Sequence, residues 1–213
     1  IRFRYISQLP QKLDKDLTII INEDNPFDKL LNLIALERNL EITSNEFEGV
    51  GIQHPLWGLM KFYFKSKNAI CLTTGINIRK NMGKKYELEW DHIFPYSVLR
   101  DEGYGMDNRI KYQYAQEITN RAVLTSVANR TKSAQNADIY LEMAAKQFPK
   151  SLQLQCIPED KTLWKLENYE LFLRARRQML VEELNNFLEN ITETTQEDIK
   201  MDLYEMIAAG ENN

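Results

Sequence analysis

The chain has 213 residues, 43% of them apolar and 27% charged, with only eight Gly and six Pro. This is enough for one large cored domain or two small ones, and it excludes a low-complexity or disordered chain in favour of a largely helical globule. The formal charge of −4 argues against a nucleic-acid partner only as an average: nine acids and one lysine from Glu182 onward carry −8, which leaves +4 on residues 1 to 181.

In chain order, residues 1 to 24 read as a basic and apolar entry, a helical turn and then a strand, LTIII, closing in the turn NEDNP. PFDKLLNLIALERNL reads as a helix that Asn25 can cap and Pro26 can start, with Leu30, Leu31, Ile34 and Leu40 on one side. HPLWGLMKFYFKS is a second apolar helix, also expected in the core, with His54 as a cap rather than a ligand. GINIRK and YELEW alternate like strands around NMGKK and predict a hairpin. Its cations Arg79, Lys80, Lys84 and Lys85 form either a solvated turn or a phosphate-facing loop.

RDEGYGMDNRIK reads as a loop, residues 113 to 119 as a brief helical turn, RAVLT as a strand, and SVANRTKSAQ as the entry to a helix. A helix follows from about Asn136 to Gln147, and Pro149 blocks its continuation. LWKLENYELFLRARRQMLVEELNNFLENI is a long amphipathic helix with Tyr169, Leu173, Leu180, Leu184 and Phe187 inward. Its Arg174, Arg176 and Arg177 read as a solvated flank or, alternatively, a nucleic-acid contact. DIKMDLYEMIAA in the acidic tail is a further helix.

Cys71 and Cys156 form no paired ligand pattern and read as buried thiols, one long-range disulfide being the alternative. No membrane-spanning run or signal peptide is legible, so a cytoplasmic protein is expected. A start at Ile1 rather than Met suggests a piece of something longer, with which function would be shared.

The segment that packing does not explain is ELEWDHIFPYSVL, residues 87 to 99, where Asp91 and His92 adjoin in a chain with one other histidine. Phosphodiester hydrolysis needs water deprotonated near neutral pH and charge neutralised on the phosphate and the departing oxygen. A neutral imidazole suits the first task and a hard cation on oxygen ligands the second. Adjacent strand residues point oppositely, so a bend or bulge is expected between Asp91 and His92 if they share a site. Asn129 in ANRTKS offers a second oxygen ligand, and Asn120, ahead of RAVLT, can bond across the loop to hold the histidine segment. On residues alone, the competing reading is a buried or capping His92 with an acceptor at Asp91.

DHIFPYS, NRAVLT and NRTKS together resemble the HNH, or ββα-metal (His-Me finger), nuclease motif. With NPFDKLLNLIAL, CIPEDKTLW and YELFLRARRQMLVEELNNFL, they resemble the C-terminal nuclease domain of modification-dependent and phosphorothioation-linked bacterial restriction proteins. In that family the domain follows a ParB-like nucleotide-hydrolysing domain. The resemblance covers about residues 25 to 190 and is most specific at 87 to 133. It implies a mainly α fold around a small ββα unit and short hairpin: one nuclease domain over 1–190, with core 87–133, and an acidic tail over 191–213.

It further implies His92 as general base, Asp91 and Asn129 as ligands of magnesium or manganese, and Asn120 as the residue pinning the loop. Arg130, Lys132, Arg121, Lys84 and Lys85 would face phosphates of double-stranded DNA. Many HNH proteins have histidine where this chain has Asn129; asparagine resembles the HNH domain of RNA-guided DNA nucleases and favours magnesium or manganese over softer metals. The zinc-knuckle cysteines of some HNH proteins are absent, leaving helices to hold the fold. The expected function is a DNA-nicking endonuclease of anti-phage defence, with an oligomer of the full-length protein one route to double-strand cutting and RNA an alternative substrate. The second reading is a catalytically inactive DNA-binding or regulatory module; a third is a structural partner of the missing N-terminal part.

Overall fold

The computed structural model describes residues 9–37, 41–78, 88–125 and 135–210, the last of these from 191 onward as helix backbone. Among the described residues the chain is mainly helical with one two-stranded antiparallel sheet. Its elements are α1 (Leu9–Asn22), α2 (Pro26–Glu37), α3 (Pro55–Ser66), β1 (Leu88–His92), α4 (Tyr96–Leu99), α5 (Arg109–Ala115), β2 (Arg121–Thr125), α6 (Ala137–Gln147), α7 (Lys150–Leu154) and α8 (Tyr169–Gly210).

The first segment corrects an expectation. LTIII is not a strand but the last part of α1. Leu13, Leu17 and Ile20 recur at helical spacing, and that period outweighs the strand preference of a Thr-Ile run. α1 packs on α2. The latter is not core either: Leu30, Leu31 and Ile34 are half-buried and Leu36 is 84% exposed. α3 is core, burying Leu56, Trp57, Met60, Tyr63 and Phe64. His54 caps it, its Nδ1 accepting from the Leu56 N–H at 3.4 Å.

β1 pairs with β2 from Leu88 opposite Thr125 through His92 opposite Arg121, with no bulge. The expected pairing of GINIRK with YELEW is not seen among the described residues. Ile76 and Ile78 bond instead to Cys71 and Ala69, each at 2.9 Å. The turn NMGKK, with Arg79, Lys80, Lys84 and Lys85, lies outside the described residues. A non-local partner lets the sheet bury both faces. Ala122 and Leu124 join a core with Phe94, Tyr140 and Phe172, while Val123 joins a second core with Phe47, Leu56 and Leu184.

A two-stranded sheet leaves exposed ladder groups at its edges, and here side chains cover the outer edge of β2. The Gln155 amide oxygen accepts from Val123 N–H at 2.7 Å, and its nitrogen donates to Val123 O at 3.1 Å and Ile70 O at 2.8 Å. Arg176, fully buried, donates to the carbonyls of Thr119, Arg121, Gln155 and Cys156. Burial pulls its pKa down to about 10. Next to it Arg177 makes two bonds to the buried carboxylate of Glu117, at 2.6 and 2.8 Å, and Glu117 also accepts from Gly49 N–H at 2.7 Å. Arg176 and Arg177 are therefore neither a solvated flank nor a nucleic-acid contact; of the RARR cations, only Arg174 is exposed. The two arginines sit on the same stripe as Tyr169, Leu173, Leu180, Leu184 and Phe187, all buried.

Further differences follow from local signals. RDEGYGMDNRIK is not all loop: it holds a π-helical turn, Arg100–Tyr104, and the start of α5, where Asn108 Oδ1 accepts from Lys111 N–H at 3.2 Å. The turn expected at 113 to 119 is the end of α5 followed by a short 3-10 turn, Ile118–Asn120. α8 starts at Tyr169, after two 3-10 turns, and is one helix of 42 residues that includes the segment read as a separate tail helix. Cys71 and Cys156 are separate buried thiols. No helix among the described residues is long and apolar enough to cross a membrane.

Candidate active site

β1 is anchored through Trp90, whose ring meets Trp57 edge-on at 4.7 Å and stacks on Phe64 at 6.1 Å. The next two residues are Asp91, opposite Ala122, and His92, opposite Arg121; both are half-buried. The ladder is regular through His92, so the bend expected between them is absent and the pleat sends their side chains to opposite faces. The chain breaks from the strand one residue later. Ile93 and Phe94 are buried, and Pro95 begins α4.

Asn120 holds that break. Its side chain is fully buried; Oδ1 accepts from Phe94 N–H at 2.9 Å, and Nδ2 donates to Phe94 O at 3.1 Å and Ala115 O at 3.2 Å. Its backbone oxygen accepts from Ile93 N–H at 2.7 Å. The amide thus replaces a strand partner for Phe94, and the two residues after His92 are tied to the residue before β2. Behind Asn120 lie the carbonyls that Arg176 gathers and the Glu117–Arg177 pair.

His92 Nε2 lies 3.3 Å from Gln116 Oε1, and the His92 ring faces Tyr96 at 6.4 Å. Tyr96 in turn meets Tyr112 edge-on at 5.9 Å. Arg121, expected at a phosphate, has its fork tied inward: Nη1 donates to Trp90 O at 3.2 Å and Nη2 to Gln116 Oε1 at 3.1 Å. Its buried Nε has no hydrogen-bond partner among the described residues. Burial lowers the Arg121 pKa, and the charge of Asp91 opposes that shift. Asp91 also acts on Tyr140, whose hydroxyl pKa burial raises above its ordinary value.

Of the two expected metal ligands, Asp91 is described, whereas Asn129, Arg130 and Lys132 lie outside the described residues, as do Lys84 and Lys85. Among the described residues no group of three or more His, Cys, Asp or Glu side chains is placed to hold a metal ion. The half-buried Asp91 carboxylate, with an amide oxygen from Asn129, would make a hard two-oxygen set. Such a set fits magnesium or manganese and leaves coordination positions open.

Gln116, Glu117, Gln155, Arg176 and Arg177 were not expected at or behind the site. For the arginines and Glu117 a signal exists, since residues 176 and 177 fall on the inward stripe of α8 and a buried cation needs a partner. Gln116 and Gln155 carry no such mark. Comparison with protein-family models, with curated proteins and with solved structures finds no match for this chain.

Proposed function

We propose that the chain is a metal-dependent DNA endonuclease domain of the HNH type, cutting one strand at a time in bacterial anti-phage defence. One observation supports the reading most: His92, half-buried at the end of β1, is followed at once by a turn that the Asn120 amide clamps on both Phe94 backbone groups. A base that must meet water and phosphate in one geometry needs such a rigid mount. The His92 imidazole takes a proton from water as its oxygen bonds to phosphorus and the 3′ oxygen departs, leaving a 5′-phosphate. A cation held by Asp91 and Asn129 would neutralise charge on the phosphate and the leaving oxygen, the Asp91 carboxylate serving it around the end of β1 from the face away from His92. Asn120 touches no reacting atom in this reading and acts by position. Target sensing belongs, on the sequence resemblance, to an N-terminal ParB-like domain of the same polypeptide.

The test is a supercoiled-plasmid assay with magnesium, manganese or EDTA. The expected result is metal-dependent nicking, lost in EDTA and in His92→Ala. Plasmid bound but never cut in either metal would support the inactive DNA-binding module instead.

A further inference from the structure

Gln116 caps the C-terminal end of α5, and its Oε1 is shared: Arg121 Nη2 lies 3.1 Å away and His92 Nε2 3.3 Å away. A guanidinium nitrogen can only donate, so the amide atom facing Arg121 must be the oxygen. The same oxygen faces His92 Nε2, and a hydrogen bond there requires the proton to sit on Nε2. In the neutral ring the lone pair is then on Nδ1. We infer that Gln116 is a positioning residue: oriented by Arg121, it holds His92 in the Nε2–H tautomer and leaves Nδ1 as the nitrogen that accepts water's proton. The step rests on His92 being the base of the proposed function. As the water oxygen bonds to phosphorus and the bond to the 3′ oxygen breaks, the proton passes to Nδ1, and Nε2–H stays on Gln116.

The arrangement is coupled at both ends. Turning the amide over would set its NH2 against the Arg121 guanidinium, so the cation selects one amide orientation, and the amide selects one imidazole tautomer. Arg121 is itself fixed by Trp90 O at 3.2 Å and by its place opposite His92 in the ladder. A misplaced tautomer would leave the ring in position but offer water an N–H instead of a lone pair.

The chain has two histidines, which makes the assignment measurable without activity. His54 Nδ1 accepts from Leu56 N–H, so His54 should also carry Nε2–H, and Gln116 does not touch it; it serves as internal reference. In long-range proton–nitrogen correlation spectra of the 213-residue chain at about pH 8.5, roughly two units above an ordinary imidazole pKa, both rings should show the Nε2–H pattern. Gln116→Leu should move His92 alone toward a mixture with Nδ1–H. Its plasmid nicking should fall roughly 10- to 100-fold in kcat with KM for DNA little changed. Gln116→Glu keeps an acceptor and should retain the Nε2–H pattern, which is the expected rescue. An Nδ1–H ring in the unchanged protein, or an unaltered His92 pattern in Gln116→Leu, would overturn the inference. If Gln116→Leu fails to fold, Gln116→Ala, which also lacks an acceptor, takes its place with the same expected and overturning outcomes. Undiminished cutting by His92→Ala would instead remove the base reading and leave the tautomer result standing.

Discussion

Two polar clusters flank the turn after β1, and they are built on opposite terms. On the α8 side, Asn120, Gln155, Arg176 and the Glu117–Arg177 pair are buried and make hydrogen bonds at both ends of each amide or along the guanidinium fork. On the open side, His92, Gln116 and Arg121 are half-buried, and Arg121 has a buried Nε with no partner among the described residues. The first pattern is what a scaffold requires, because an unsatisfied buried polar group costs about 1–3 kcal/mol. The second leaves its polar side chains partly exposed to water. Charge alone does not distinguish the two: Arg176 is a fully buried cation and Arg121 a half-buried one, and the first has all its fork bonded while the second does not.

The contrast can be broken by substitution, with stability responding on one side and chemistry on the other. The largest stability loss should come from Glu117→Ala, which strands Arg177 and removes the acceptor of Gly49 N–H; roughly 3–5 kcal/mol is expected in urea unfolding. Asn120→Ala leaves Phe94 and Ala115 backbone groups without partners and should cost about 3 kcal/mol. It should also lower plasmid nicking even under conditions where the variant is fully folded, because the mount of His92 is lost.

On the open side, Gln116→Leu should change unfolding free energy by about 1 kcal/mol or less while it lowers nicking; a larger stability loss would move Gln116 into the scaffold cluster. The smallest effect concerns the thiols. Cys71 and Cys156 have no exposed surface, and burial pushes the Cys156 thiol up to about 12. A thiol reagent at about pH 8, below even an ordinary cysteine pKa, should label neither in the native chain and both in urea. Native labelling of Cys156, which lies beneath Arg176, would show that the scaffold opens.

Much of the scaffold's helical content was legible because it depends on period. The inward stripe of α8 and the apolar α3 follow from spacing, and the place of Asn120 between His92 and β2 follows from the order of motifs. What was not legible depends on distant partners. Arg176 and Arg177 fall on the inward stripe of α8, but the groups that satisfy them, on Thr119, Glu117 and Cys156, reach them only across the fold. The local pattern offers β1 the adjacent GINIRK segment as partner, since a local pattern can suggest only short-range pairing; the actual partner begins at Arg121. LTIII has the composition of a strand because its residues are β-branched, and only the helical period around it marks it as part of α1. Gln116 has no local signal at all: it matters only because α5 ends beside His92 and Arg121.

On the proposed function, chemistry belongs to the half-buried cluster at His92 and structure to the saturated one behind it. The most direct measurement is the initial rate of plasmid nicking in manganese per folded molecule, for the unchanged chain and His92→Ala, with folding scored by thermal melting in the same buffer. Unaltered melting and a rate at least about 100-fold lower in His92→Ala are expected. Equal metal-dependent rates in the two proteins would contradict the proposed function.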